Sequence, residues 1–140
     1  MLFRSEQFHD PLPGRDRRIY EKGYVALDHN GSAASLTLEY AYDDWTIYHT
    51  ALLAGNRSVA DTYKKRAANY TNVFDTNMGY ARPRYADGRW KENFNLLNTH
   101  GEGFIEGNAL NYSFYVPQDV DNMIRLMGGE IGRASCRERV

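Results

Sequence analysis

A mainly α-helical fold, a partial (α/α)6 toroid carrying one short β-hairpin, is what the chain predicts. Three features point to it. The stretch from about Ala33 to Gly55 is apolar around most of its circumference, the next one carries a single apolar stripe, and Asp87-Gly88 separates two short alternating runs. A helix covered on all sides, followed through a tight turn (Gly55-Asn56-Arg57) by an amphipathic one, is the alternation of inner and outer helices in a double ring. Stacked helical repeats give the same alternation, although no second copy of the motif recurs at a repeat period. With 140 residues, 42% hydrophobic and 25% charged, the chain holds one domain or part of one.

Taken in order, residues 1–31 place Pro11, Pro13, Gly14, Gly23 and Gly31 among charges and read as loop, with Gly23 to Leu27 as a short extended piece. Ser32 or Ser35 caps the first helix. Leu38, Ala41, Trp45, Tyr48 and Leu52 form one apolar face, Tyr40, Ile47 and Ala51 a second, and Glu39, Asp43, Thr46 and Thr50 a narrow polar stripe between them. The second helix, capped by Ser58, aligns Val59, Ala60, Tyr63, Ala67, Tyr70, Val73 and Phe74. Asp75 to Gly79 forms a turn, and Tyr80 to Arg84 pairs with Arg89 to Lys91 across Asp87-Gly88. Residues 92–105 read as loop. A helix from Gly107 or Asn108 to Val116 stops at Pro117, and Asp119 caps a last one from Val120 to Met127.

A formal charge of −1 with scattered Lys and Arg excludes a nucleic-acid backbone as partner, and no window is long and apolar enough for a membrane span. The opening residues MLFRSEQFHDPLPG do not have the cationic segment and long apolar core of a secretory leader. The tail Glu130 to Val140 (EIGRASCRERV) departs from everything before it and reads like a translated sequencing adapter, so residues 1–129 are expected to be the genuine segment and 130–140 a scar. That tail holds the only cysteine, Cys136. Disulfide and thiol chemistry therefore fall away.

Two groups of residues have the types that chemistry needs. Glu39, Asp43 and Asp44 lie within two turns of the mostly apolar first helix, amid Tyr40, Tyr42 and Trp45. Carboxylates there require compensation, either from Arg57, Arg82 or Arg84 or from a polar ligand such as a sugar or a metal. Glu106 lies between glycines in Gly103-Phe104-Ile105-Glu106-Gly107-Asn108-Ala109, at the start of a helix. It is either a cap or a general acid. A general acid must hold its proton near neutral pH. The helix N-terminus opposes that by only about 0.3–1 kcal/mol, so burial would prevail. The four histidines show no metal-ligand spacing.

Ser35 to Trp45 (SLTLEYAYDDW), Met78 to Arg84 with Asp87-Gly88-Arg89-Trp90, and Ile105 to Ala109 through Tyr115 to Val120 occur in an order that resembles glycoside hydrolase family 92, the calcium-dependent exo-α-mannosidases. The resemblance runs from about Lys22 to Gly129. It implies a slice of an (α/α)6 toroid whose parent also carries an N-terminal β-sandwich and is secreted or periplasmic. It further implies hydrolysis of terminal α-linked mannose from glycans with inversion, Glu106 as general acid, and Ca2+ engaging sugar hydroxyls.

The base that activates water lies in a Gly-Asn-Asp segment further along in the family, so this segment alone is expected to be inert. Asp43, Asp44, Trp45, Asn108, Tyr112 and Gln118 are the candidate sugar contacts, and no metal ligand is assigned. The family commonly has Ala-Trp-Gln-Tyr where this chain has Ala109-Leu110-Asn111-Tyr112, and Pro-His-Asp where it has Pro117-Gln118-Asp119. Ile105 replaces a Thr. The alternatives are another (α/α)6 glycosidase, glucosidase or trehalase-like, and a non-catalytic helical interaction domain. An enzyme requires Glu106 and Asp43 or Asp44 to border a common concavity with Trp45 or Tyr112.

Overall fold

The computed structural model describes residues 22–129. The expected N-terminal loop up to residue 21 and the expected scar at 130–140 lie outside the described residues. Within them the order is α1 (Ala33–Leu53), α2 (Arg57–Ala67), a 3-10 turn (Asn69–Val73), β1 (Phe74–Asp75), β2 (Tyr80–Ala81), α3 (Ala109–Tyr112) and α4 (Val120–Leu126). Helices dominate, and the one sheet is a two-stranded antiparallel pair with Phe74 opposite Ala81 and Asp75 opposite Tyr80.

The first helix begins after Ser32, but the Ser32 side chain makes no capping bond. The orphan amides of its first turn are met from a distant loop instead: the Gly103 carbonyl accepts from Ala34 N at 2.9 Å and from Ser35 N at 3.2 Å. Gly103 has φ +87°, and a Cβ there would stand 2.7 Å from Pro83 Cβ. Only glycine lets this backbone come so close to both the helix and the proline. Ala33, Ala34, Leu38 and Ala41 are buried, whereas Leu52 and Leu53 are 43% and 91% exposed. The all-round apolar character of α1 is thus covered at its N-terminal half and open at its far end.

Asn56, not Ser58, caps α2, because the Asn56 side chain accepts from Val59 N at 3.2 Å. The helix stops at Ala67, short of the expected Phe74. Asn69-Tyr70-Thr71-Asn72 are poor helix formers with better uses elsewhere. The Asn72 amide donates to the Gly23 carbonyl at 2.9 Å, and the fully buried Tyr70 hydroxyl donates to Asp119 Oδ2 at 2.7 Å.

The paired strands flank the Asp75 to Gly79 turn, and the Asp87-Gly88 turn carries a single bridge, Arg84 with Trp90. The expected hairpin is short but present: Tyr85 N donates to the Arg89 carbonyl and Lys91 N to the Pro83 carbonyl, both at 2.9 Å, while Tyr80 and Ala81 pair with the other strand. Arg84 explains why it closes there: its guanidinium lies 4.6 Å over the Trp90 ring and 5.3 Å from Tyr24, and its Nε donates to the Gly88 carbonyl.

The helix expected up to Val116 is one turn long. The Ser113 hydroxyl donates to the Ala109 carbonyl and accepts from Ala81 N at 2.7 Å, which ties the end of α3 to β2. Asp119 precedes α4 without a side-chain cap, since its carboxylate is engaged by Tyr70. One core, built on Leu38, Tyr70, Val73, Phe104, Val116 and Met123, joins these pieces. Among the described residues no helix is long and apolar enough to cross a membrane.

Candidate functional site

Glu39 and Asp43 stand one turn apart on α1, so both carboxylates share a face with Tyr42. Opposite them, α3 presents Tyr112, and the segment after it presents Tyr115. Glu39, Asn111, Tyr112 and Tyr115 line an open cavity of about 370 Å³, within the usual span of small-molecule sites, roughly 300–1,000 Å³. The aromatic wall continues along α1. Tyr115 meets Tyr42 edge-on at 6.0 Å, Tyr42 stacks on Trp45 at 5.8 Å with 17° between the planes, and Trp45 meets His49 at 4.4 Å. Flat apolar rings beside carboxylates suit a ligand with a C–H face and a rim of hydroxyls.

Burial first, then the neighbouring Asp43 carboxylate, push the Glu39 carboxyl above its ordinary 4.5, while the adjacent Tyr112 hydroxyl acts in the opposite direction. Burial and the Glu39 and Glu106 carboxylates raise the Tyr112 phenol. The site is therefore anionic in character and crowded with groups competing for few protons.

Glu106 is not among the residues that line this cavity, although its carboxylate acts on the Tyr112 phenol that does. Its side chain is exposed. This corrects the expectation of a buried acid. The loop from Gly101 to Asn108 carries its polar residue outward because its backbone is anchored inward: Gly103 caps α1, Ile105 N donates to Ser35 Oγ at 3.3 Å, and Tyr112 OH donates to the Ile105 carbonyl at 2.9 Å. Glu106 itself adopts φ +49°, a conformation uncommon for a residue with a side chain. A Cβ on Gly107 would lie 2.9 Å from the Tyr112 ring, so the ring packs directly on the backbone following Glu106.

The other candidates divide. Tyr112 lines the cavity; Asp43 acts on the Tyr115 phenol of its wall, and Trp45 is joined to that wall through Tyr42. Asp44 does not: it sits about 100° further round α1 from Asp43, buried, with Oδ1 and Oδ2 each 3.0 Å from the Arg66 guanidinium of α2. The partner is Arg66 rather than Arg57, Arg82 or Arg84, of which Arg82 pairs with Asp75 at 2.9 Å.

Asn108 caps α3, accepting from Asn111 N at 3.1 Å and donating to the Leu97 carbonyl at 3.2 Å, so both ends of its amide are engaged. Both amide atoms of Gln118 are buried and without a hydrogen-bond partner among the described residues. Glu39, one of the three carboxylates singled out in the sequence for a polar ligand, completes the cavity together with Asn111 and Tyr115, which were not singled out. Glu39 and Asp43 at i and i+4 beside Tyr42 carried a signal for the first; nothing local marked the other two.

Among the described residues no group of three or more His, Cys, Asp or Glu side chains could hold a metal ion. Calcium takes 6–8 oxygen ligands. Asp44 and Asp75 are committed to arginines, and the Glu39 and Asp43 pair does not by itself supply a calcium site.

Comparison with known proteins converges on one family. Residues 5–135 match the glycosyl hydrolase family 92 catalytic domain. A protein of Arthroderma benhamiae described as an uncharacterized secreted glycosidase is 27% identical, over 76% of this chain and 16% of its own length. The structure of a family GH92 inverting mannosidase from Bacteroides thetaiotaomicron superposes with a TM-score of 0.79 at 31% identity, covering 84% of this chain and 16% of that one. A GH92 α-mannosidase of the same organism in complex with mannoimidazole gives 0.78 at 32%, over 83% and 16%. The chain thus spans about a sixth of the length of these relatives.

Proposed function

Because the chain belongs to glycosyl hydrolase family 92, we propose that it is a segment of an inverting, calcium-dependent exo-α-mannosidase that removes terminal α-linked mannose from glycans, and that it contributes the general acid, Glu106. The observation that supports this most is the anchoring of the Glu106 loop. A carboxyl on a strained backbone, fixed through Ser35 on one side and Tyr112 on the other, stands at the edge of a tyrosine and carboxylate cavity. Strained residues persist only where surrounding contacts over-determine them.

In this reading the sugar enters the cavity against Tyr112 and Tyr115, with Glu39, Asp43 and Trp45 reading hydroxyls and the apolar ring face. Glu106 gives its proton to the glycosidic oxygen as the C–O bond breaks. In a longer catalytic domain the rest of the fold and the sugar itself would cover that carboxyl. Inversion needs a second carboxylate about 6.5–9.5 Å away to activate water, and the base would come from elsewhere in that domain, as would the oxygen ligands of calcium. Asp44 and Asn108 support the scaffold. The partial (α/α)6 toroid follows the same reading: α1 is its inner helix and α2 its outer one. The secreted fungal relative supports a secreted parent.

The test is hydrolysis of an α-linked mannose disaccharide in the presence of calcium. The chain alone should give no turnover. A complete family 92 domain built around residues 22–129 should turn over and lose about 10²–10⁴-fold in kcat with Glu106→Gln. Full activity in that variant would remove Glu106 from the chemistry.

A further inference from the structure

The acceptor triplet for asparagine-linked glycans, Asn-x-Ser/Thr, occurs four times in the chain, at Asn30, Asn56, Asn69 and Asn111. A folded chain can receive a glycan at such a triplet only if three conditions hold. The amide nitrogen must be free, the hydroxyl two residues on must be readable by the transferase, and the backbone between them must be able to enter its cleft.

Three of the four fail. Asn111 lies in α3, and its Ser113 is fully buried, donating to the Ala109 carbonyl and accepting from Ala81 N. Asn69 starts the 3-10 turn and packs on Gly23, where an added Cβ would stand 2.9 Å from Asn69 Oδ1; its Thr71 hydroxyl is given to the Ala68 carbonyl at 2.9 Å. Asn56 caps α2, and Arg57 and Ser58 form the first turn of that helix, so a transferase could read this triplet only by unwinding it.

Asn30 meets all three conditions. Asn30 and Gly31 are exposed in the loop before α1, and a Cβ on Gly31 would meet nothing within 4 Å. Asn30 Oδ1 accepts from Ser32 N at 2.9 Å, a local turn that commits the oxygen of the carboxamide. Its nitrogen donates to no acceptor among the described residues. The Ser32 side chain makes no capping bond to α1, so its hydroxyl is available too.

We propose that Asn30 is a glycan acceptor, receiving an oligosaccharide from a lipid diphosphate carrier on its side-chain nitrogen. The bond from Nδ2 to the sugar C1 forms as the bond from C1 to the diphosphate oxygen breaks. The lipid diphosphate leaves with the bonding pair, and the amide gives up one proton. Oδ1 takes no part in the new bond, so the turn to Ser32 N survives the modification. The 21 residues of α1 span about 30 Å. The glycan therefore stands at the opposite end of the helix from the exposed Leu52 and Leu53. It assigns the loop before α1 to the outer surface of the longer protein and leaves the far end of α1 for the rest of the domain to cover. The inference rests on the secreted parent proposed above for its occurrence, but not for its test.

The purified, folded chain is incubated with a single-subunit oligosaccharyltransferase and a dolichyl diphosphate oligosaccharide, the transferase having first been shown active on a short Asn-x-Thr peptide. Intact mass and peptide mapping read the product. One glycan should appear, at Asn30. Asn30→Gln and Ser32→Ala should abolish it, and Ser32→Thr should retain it. Because the Ser32 side chain does not cap α1, Ser32→Ala should leave the helix as it is, which far-ultraviolet circular dichroism checks. An unmodified chain beside the active transferase would overturn the proposal, as would a glycan at Asn56, Asn69 or Asn111 of the folded chain. If a variant folds poorly, the map of the unmodified chain still decides. No mannoside is hydrolysed in the assay, so a negative result leaves the mannosidase reading standing, and failure of mannoside turnover leaves this one.

Discussion

Asp44 and Arg66 join α1 to α2 through two hydrogen bonds of 3.0 Å each, and the two side chains are only 4% and 17% exposed. Replacing Asp44 with Ala removes both bonds from a partly buried guanidinium that also lies 4.4 Å over the Tyr63 ring. Removing one partner of a buried pair typically costs about 3–5 kcal/mol. Arg66 retains some solvent contact, which favours the lower end, about 3 kcal/mol. At about 4 °C per kcal/mol for a chain of this size, Tm should drop by roughly 12 °C.

Arg66→Met removes the same two bonds from the more buried member and should cost at least as much. Asp44→Leu with Arg66→Met replaces both charges by apolar volume and should cost under about 1 kcal/mol. Urea and thermal unfolding followed by circular dichroism supply the double-mutant cycle. Single substitutions that each cost less than about 1 kcal/mol and add in the double variant would refute the structural role given to Asp44 and return it to the sugar site.

The Tyr70 phenol is raised from 10.0 to about 12, first by burial and then through its contacts, with Asn122 lowering it and Asp119 raising it. Its folded-state pKa lies above the unfolded one, so its contribution is fully present below pH 10 and is lost as pH climbs from about 10 to 12. Alkaline unfolding should be steep in that window for the unmodified chain and shallower in Tyr70→Phe, which should also cost about 1.5–3 kcal/mol at pH 7 through the lost bond to a carboxylate. Identical alkaline slopes in the two would contradict this. Gln118→Leu removes two buried polar atoms that lack partners among the described residues, and should raise stability by about 1 kcal/mol or more. Destabilisation of that size would mean the amide is satisfied.

What the sequence disclosed and what it withheld differ by range of interaction. The span of α1 was legible because Ser32 and Gly55 bracket a long apolar periodicity, and Pro117 and Asp119 marked the start of α4 in the same local way. The start of α2 was misread by two residues because Asn56 and Ser58 are both good caps, and only the reach of Asn56 to Val59 N separates them. Its end was misread because the periodicity through Tyr70 and Val73 reports burial without reporting that the backbone has tightened into a 3-10 turn.

The acid loop shows the same limit at the site. Glu106 was found from its motif, but its exposure follows from Gly103 binding α1 and from Tyr112 reaching Ile105, contacts between residues far apart in the chain. Likewise Asp43 and Asp44 are neighbours in sequence, yet one lies on the Glu39 face of α1 and the other meets an arginine. Helical geometry separates them, and only the position of α2 says which is which.

The most direct test of Glu106 compares leaving groups in a complete family 92 domain containing this segment. α-Mannosyl fluoride departs without needing a proton, whereas mannose leaving from an α-linked disaccharide needs one. If Glu106 donates that proton, Glu106→Gln should lower kcat on the disaccharide by about 10²–10⁴-fold and leave hydrolysis of the fluoride within a few-fold of the unmodified enzyme. An equal loss on both substrates, or no loss on either, would contradict the assignment.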